Sequence, residues 1–294
     1  MVYLLAAIAA STLFALGLKV SENRGYNRVG VAFANYATGA FLAFLWWVGP
    51  WCAGRGEMAG ETLGYGVLGG AAWVGGLITL MVSTRENGVA LTAGISRLAL
   101  LVTIACCILF WGESLGWIEG VGVLLALAAI LLMGVPASRR EGRTSGWGIL
   151  LLLLVLFTQG AAQIILKVFE GSGGERELTA FFLVMFATGA LLTGLVLPLY
   201  GRPLRRRELG FGALLGLPNL YSGAFLVLAL QEMRGTIAFP AVNAGTLFLL
   251  VLAGLLFWRE RAGRAGVAGL ALTVLALVLI KGAELIRELL EVVP

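Results

Sequence analysis

Apolar residues run through this chain in long unbroken stretches, separated by short clusters of Arg, Glu, Gly and Pro. The runs cover approximately 3–20, 29–50, 63–83, 88–111, 115–136, 146–168, 178–200, 209–230, 235–258 and 265–282. Each is close to the ~20 residues a helix needs to cross a ~30 Å hydrocarbon core. In lipid only helices and closed barrels satisfy every backbone group. Continuous apolar runs without period-two alternation therefore predict helices. The expected fold is all-α and integral to the membrane, with ten transmembrane helices and little chain left for a soluble domain. The first run begins at Tyr3 without a basic segment before it and is read as a retained helix, not a cleaved signal.

The polar punctuation repeats. Leu18-Lys-Val-Ser-Glu22 returns as Leu166-Lys-Val-Phe-Glu170, and Ala37-Thr-Gly-Ala40 as Ala187-Thr-Gly-Ala190. Leu63-Gly-Tyr-Gly66 returns as Leu209-Gly-Phe-Gly212, and Leu109-Phe-Trp-Gly-Glu113 as Leu256-Phe-Trp-Arg-Glu260. The shifts are 148, 150, 146 and 147, so the chain reads as a duplicated half, residues 1–143 and then 144–294, ending in a short charged tail. Five spans per half is an odd number. The second half must therefore enter the membrane in the opposite orientation, as an inverted repeat of the kind that alternating-access transporters use.

Composition narrows the class. Hydrophobic residues make up 60% and charged residues 13%, against about 25% charged in soluble domains, and mean hydropathy is +0.95. The chain is expected to be multi-pass in the cell (inner) membrane, with the lipid bilayer as its surroundings. The net charge of +5 is not a nucleic-acid signal, because the basic residues sit in short loops. Fourteen Lys and Arg follow odd-numbered spans, from Lys19, Arg24 and Arg28 to Arg259, Arg261 and Arg264, against six after even-numbered spans and in the tail. The positive-inside rule then puts both termini outside. Cys52, Cys106 and Cys107 have no metal-ligand spacing, and the chain has no histidine, so no cofactor or metal is expected.

Ten spans in two halves, a Lys near the end of the first helix of each half, and apolar helices ending in Gly112-Glu113 and Arg259-Glu260 resemble the drug/metabolite transporter superfamily, EamA-like branch. The resemblance covers the whole chain. It implies a basket of helices one to four and six to nine around a central cavity, with helices five and ten at the periphery. It implies movement of small organic solutes without ATP hydrolysis, which admits coupling to a proton or another ion. It also implies an amino terminus inside, where the charge distribution of this chain predicts the reverse.

Positions on which the two halves agree are expected to be scaffold, and polar residues confined to one half are candidates for an asymmetric substrate. Gly66/Gly70 and Gly212/Gly216 are shared and predict close helix packing. Glu113 and Glu260 are shared at helix ends and predict capping before proton coupling. Lys19 and Lys167 are shared, each three residues before an acid. They either snorkel to the interface or gate the two opposite entrances.

Arg97 breaks the symmetry, since its counterpart is Ala244. It sits nine residues into the fourth span, about 13 Å deep at ~1.5 Å per residue. A mid-membrane arginine costs about 2.5–3.5 kcal/mol on insertion scales, so it should face the protein interior or water. Its planar fork suits a carboxylate or phosphate. Asn35, Tyr36, Trp73, Gln159, Asn219, Tyr221 and Asn243 are the remaining candidates for the pocket, with Pro218 and Pro240 expected to free carbonyls beside two of them. Taken singly, each also has a plainer role as a helix–helix hydrogen bond or a core aromatic.

The sequence thus predicts a secondary transporter, not an enzyme, for a small anionic or zwitterionic metabolite such as an amino acid, organic acid or phosphorylated compound. An exporter of cationic or lipophilic drugs is the alternative, with Arg97 structural. An intramembrane lipid-modifying enzyme is the distant one, for which no clustered acid–base or metal-binding residues are visible.

Overall fold

The computed structural model describes residues 1–52, 59–134, 145–172, 177–200, 203–257 and 264–292, and among these there is no strand. Among the described residues ten α-helices follow one another: α1 (Val2–Asn23), α2 (Arg28–Cys52), α3 (Gly60–Asn87), α4 (Val89–Trp111) and α5 (Trp117–Gly134), then α6 (Gly146–Ser172), α7 (Leu178–Val196), α8 (Arg206–Glu232), α9 (Gly235–Phe257) and α10 (Arg264–Val292). Among the described residues, eight helices are long and apolar enough to cross a membrane. The other two, α5 and α10, carry the shorter apolar stretches Trp117–Met133 and Ala265–Ile280. The protein is an all-α, multi-pass membrane protein.

Helix ends follow local chemistry. A single residue, Gly88, separates α3 from α4; its φ of 82° suits glycine and reverses the chain at once. At the other end of α4, Gly112 stops the helix in the left-handed region. Pro198 has no N–H to donate, and α7 gives way at Val196 to a 3₁₀ turn, Leu197–Tyr200. In contrast, α8 and α9 remain helical through Pro218 and Pro240, so neither proline unwinds its helix. The helices also outrun the apolar segments: α3 and α8 extend several residues at each end, where polar side chains suit the headgroup region.

The helices gather into two compact units, Met1–Thr79 with Ala161–Gln231, and Leu80–Gly160 with Glu232–Pro294. Each draws on both halves of the sequence, with α3 and α6 contributing to both.

In the first unit α2 and α7 pack antiparallel: Phe33 lies against Gly194, Tyr36 against Gly189, and Phe186 against Gly39. The shared glycines hold a further helix on each. A Cβ at Gly70 would lie 2.5 Å from the Met185 carbonyl oxygen, 2.7 Å from Thr188 Cβ and 3.1 Å from Gly189 N. A Cβ at Gly216 would lie 2.8 Å from the Asn35 oxygen, 2.8 Å from Thr38 Cβ and 3.1 Å from Gly39 N. Under the sequence repeat these are the same contacts, so α3 rests on α7 as α8 rests on α2. One further contact is kept with its sizes exchanged: Leu215 packs on Gly17, where the other half has Ile165 beside Gly69.

The second unit shows the same relation between α5 and α10. A Cβ at Gly122 would lie 2.7 Å from Ile280 Cγ1 and 3.3 Å from the Ala276 oxygen. One at Gly269 would lie 2.5 Å from Met133 Cγ and 3.2 Å from the Ala129 oxygen. The register runs in opposite directions, so this pair is antiparallel too. Close backbone approach at small residues is how helices associate where lipid removes the hydrophobic drive between them.

Candidate functional site

Five of the candidate pocket residues lie in the first unit. Asn219 Nδ2 donates to Asn35 Oδ1 at 3.2 Å, and both side chains are buried. Their repeat counterparts are Trp73 and Met185, so this amide pair has no equivalent in the other half. The next residue on α2, Tyr36, joins a ring cluster: its centroid is 6.3 Å from Trp73 and 5.9 Å from Phe186, and Trp73 is 5.7 Å from Phe186. Trp73 Nε1 donates to the Ala162 carbonyl at 3.2 Å, tying α3 to α6. Tyr221 stands apart from this group. It is exposed and belongs to a line of rings with Trp46 at 6.3 Å and Phe225 at 5.7 Å.

The other three lie in the second unit. Arg97 is half-buried on α4 and makes no hydrogen bond or ion pair with the described residues. Gln159, on α6, is half-buried. Asn87 Nδ2 donates to the Gly148 carbonyl at 3.0 Å, and Gly160 packs on Ala99 and Val102. The first contact joins α6 to the last residue of α3 and the second joins it to α4, so Gln159, next to Gly160, lies near the level of Ala99, two residues from Arg97. Asn243, on α9, is half-buried and returns its Nδ2 to the Phe239 carbonyl at 2.9 Å, beside Pro240.

The lysines occupy opposite ends of the first unit, because α1 and α6 run antiparallel through the contacts that join them to α8 and α3. Lys167 is buried and pairs with Glu170 at 2.8 Å. In the first half Glu22 pairs with Arg28 at 2.9 Å, and Lys19 is half-buried.

Carboxylates hold the helix ends. Glu113 accepts from Gly235 N at 2.9 Å and Thr236 N at 2.8 Å, capping the first turn of α9. Arg234 reaches the Ser114 carbonyl and the carboxylate of Glu119, while Glu119 Oε2 accepts from Gly116 N at 2.8 Å. The α4–α5 and α8–α9 turns are thereby latched together. Glu113 thus has the capping role expected of it, whereas Arg259, Glu260 and most of the basic loop 137–145 lie outside the described residues.

Two further joints were not anticipated. Glu208 is buried and accepts from Asn27 N at 3.4 Å and Arg205 N at 3.1 Å, while Asn27 Oδ1 caps α2 through Val29 N and Gly30 N. At the counterpart positions Thr62 Oγ1 donates to Glu177. The joint is kept, with the acid moved from one helix to the other. Asn27 before an apolar run carried an N-cap signal; the long-range half of each joint carried none. Among the described residues no group of three or more Cys, Asp and Glu forms a metal-sized cluster.

No family model matches the chain. An uncharacterized protein of Haemophilus influenzae is 25% identical over 202 residues, which span 68% of this chain and 69% of its own. A protein of known crystal structure superposes with a TM-score of 0.76 over 96% of this chain and 98% of its own at 15% identity, a likeness of fold alone.

Proposed function

We propose that this protein is a secondary transporter, built like the drug/metabolite transporter superfamily it resembles, that moves a small anionic or zwitterionic organic solute by alternating access. The observation that carries the reading is the mirrored packing of counterpart helices in antiparallel pairs, α2 with α7 and α5 with α10. Halves that pack alike while running in opposite directions supply two near-equivalent arrangements, one open to each face. This supports an inverted repeat of ten helices.

Arg97 sets the charge class of the solute. A guanidinium within a membrane span that meets no described acid offers its fork to a carboxylate or phosphate. Gln159, near its level, and Asn243 add polar groups in the same unit. Lys19 and Lys167 serve the two opposite entrances, and both termini face outside.

Counterflow in proteoliposomes tests the function, using labelled amino acids, organic acids and phosphate esters beside quaternary-ammonium compounds of matched size. Saturable exchange of an acidic or zwitterionic solute is expected. Exchange confined to the cationic set would overturn the charge assignment, and no exchange with any solute would overturn the transporter reading. Orientation has its own test, cysteine labelling at Ser145 after replacement of the native cysteines. Rapid reaction there with an impermeant reagent in intact cells would reverse the topology.

A further inference from the structure

We propose that the first unit carries a binding site for an anionic phospholipid at the end where the α1–α2 turn meets the start of α8. The proposal is independent of the transport reading. A groove of about 510 Å³ opens there, lined by Arg24, Tyr26, Arg207, Gly210, Phe211 and Leu214. The two arginines come from segments 183 residues apart and converge on one space because the Asn27–Glu208 joint holds the turn against α8.

The groove has a built wall. Tyr26 and Phe211 meet edge to face at 5.6 Å; the Arg24 guanidinium lies 5.9 Å from the Phe211 centroid, and its Nη1 donates to Tyr26 Oη at 3.4 Å. Arg24 is held in place yet remains exposed. The nearby acids are engaged elsewhere: Glu22 is paired with Arg28 at 2.9 Å, and the Glu208 carboxylate is buried on the Asn27 and Arg205 N–H groups. The lip is therefore net positive, with forks suited to a phosphate diester. No side chain fills the space above Gly210.

An amphiphile fits better than free phosphate because the groove leads onto an apolar track. Leu214, Leu217 and Tyr221 are all exposed and, spaced three and four residues apart, lie on one face of α8. A headgroup between the arginines would lay its acyl chain along that face. Basic pockets at helix ends bind anionic headgroups in this way, at the leaflet that positive loops face.

Native mass spectrometry of the delipidated protein in neutral detergent tests the site, with phosphatidylglycerol, phosphatidylcholine and inorganic phosphate as separate titrants. Phosphatidylglycerol should bind in preference to phosphatidylcholine, and millimolar phosphate should not displace it. Arg24→Gln and Arg207→Gln should each weaken phosphatidylglycerol about fivefold, and the double variant about 25-fold. Because the positions are exposed, folding should be retained; Arg24→Lys with Arg207→Lys keeps the charge and should stay within about threefold of the parent. Equal binding of the two lipids, full displacement by phosphate, or an unchanged double Gln variant would each overturn the proposal.

Discussion

Asn219 on α8 hydrogen-bonds Asn35 on α2 at 3.2 Å, both buried, at the level where the other half of the molecule places Trp73 and Met185. An amide pair in this setting is worth little net, about 0.6 kcal/mol on average between membrane helices, but a single orphaned amide costs about 1–3 kcal/mol. Asn219→Leu and Asn35→Leu should therefore each lower the melting temperature, and the double variant should lose less than the sum. Additive losses in detergent melts would show that the two amides act separately.

The mirrored glycines should respond alike. Gly70→Ala and Gly216→Ala each drive a methyl into backbone, at 2.5 and 2.8 Å from a carbonyl oxygen. Overpacking of this kind costs about 1–3 kcal/mol. Gly64, on α3 with nothing within 4 Å of its Cβ position, is the control. There alanine should be neutral or stabilising by up to about 1 kcal/mol from helix propensity. Thermal unfolding of the three variants checks both statements.

The latch between the α4–α5 and α8–α9 turns makes a graded prediction. Glu113→Ala removes the cap of α9 and should cost about 0.5–2 kcal/mol. Arg234→Ala leaves the carboxylate of Glu119, 5% exposed, without its cation. Breaking a buried pair from one side costs about 3–5 kcal/mol, and the 23% exposure of Arg234 places this case toward the lower end. Adding Glu119→Gln should recover part of the loss, read as a higher melting temperature in the double variant than in Arg234→Ala.

Arg97→Ala should abolish binding preference for acidic solutes, with a loss of about 2–5 kcal/mol toward the solute identified by counterflow. Arg97→Lys should restore part of it, keeping the charge without the fork. The folded Ala variant, monodisperse and of near-parental melting temperature, is the required comparison. If it binds that solute as tightly as the parent, Arg97 is structural.

Lys167→Ala and Lys19→Ala should slow exchange unequally in the two directions, since the residues lie at opposite ends of the first unit. Lys167→Ala should also destabilise, because Glu170 loses its partner at 2.8 Å. Counterflow unchanged in both variants would leave Lys19 with snorkelling and Lys167 with its ion pair to Glu170.

The sequence by itself determined the number of helices among the described residues and their apolar nature, because both rest on local signals. An apolar run long enough to cross lipid has few alternatives to a helix, and the glycine pairs announce close packing by spacing alone. Capping at Glu113 was legible for the same reason, since it follows from a carboxylate at a helix end. Which helix each glycine met was a tertiary outcome. Nothing near Gly70 in sequence names Met185, or near Gly216 names Asn35. The tertiary structure also divided the candidate residues, bringing Asn35 to Asn219 and Tyr36 to Trp73, setting Tyr221 on an exposed face, and placing Arg97, Gln159 and Asn243 in the second unit. It kept α8 and α9 helical at their prolines. The Asn27–Glu208 and Thr62–Glu177 joints, and the meeting of Arg24 with Arg207 that follows from the first, belong to it as well. A buried carboxylate takes whichever distant N–H or hydroxyl the packing presents, and helix periodicity does not encode that choice.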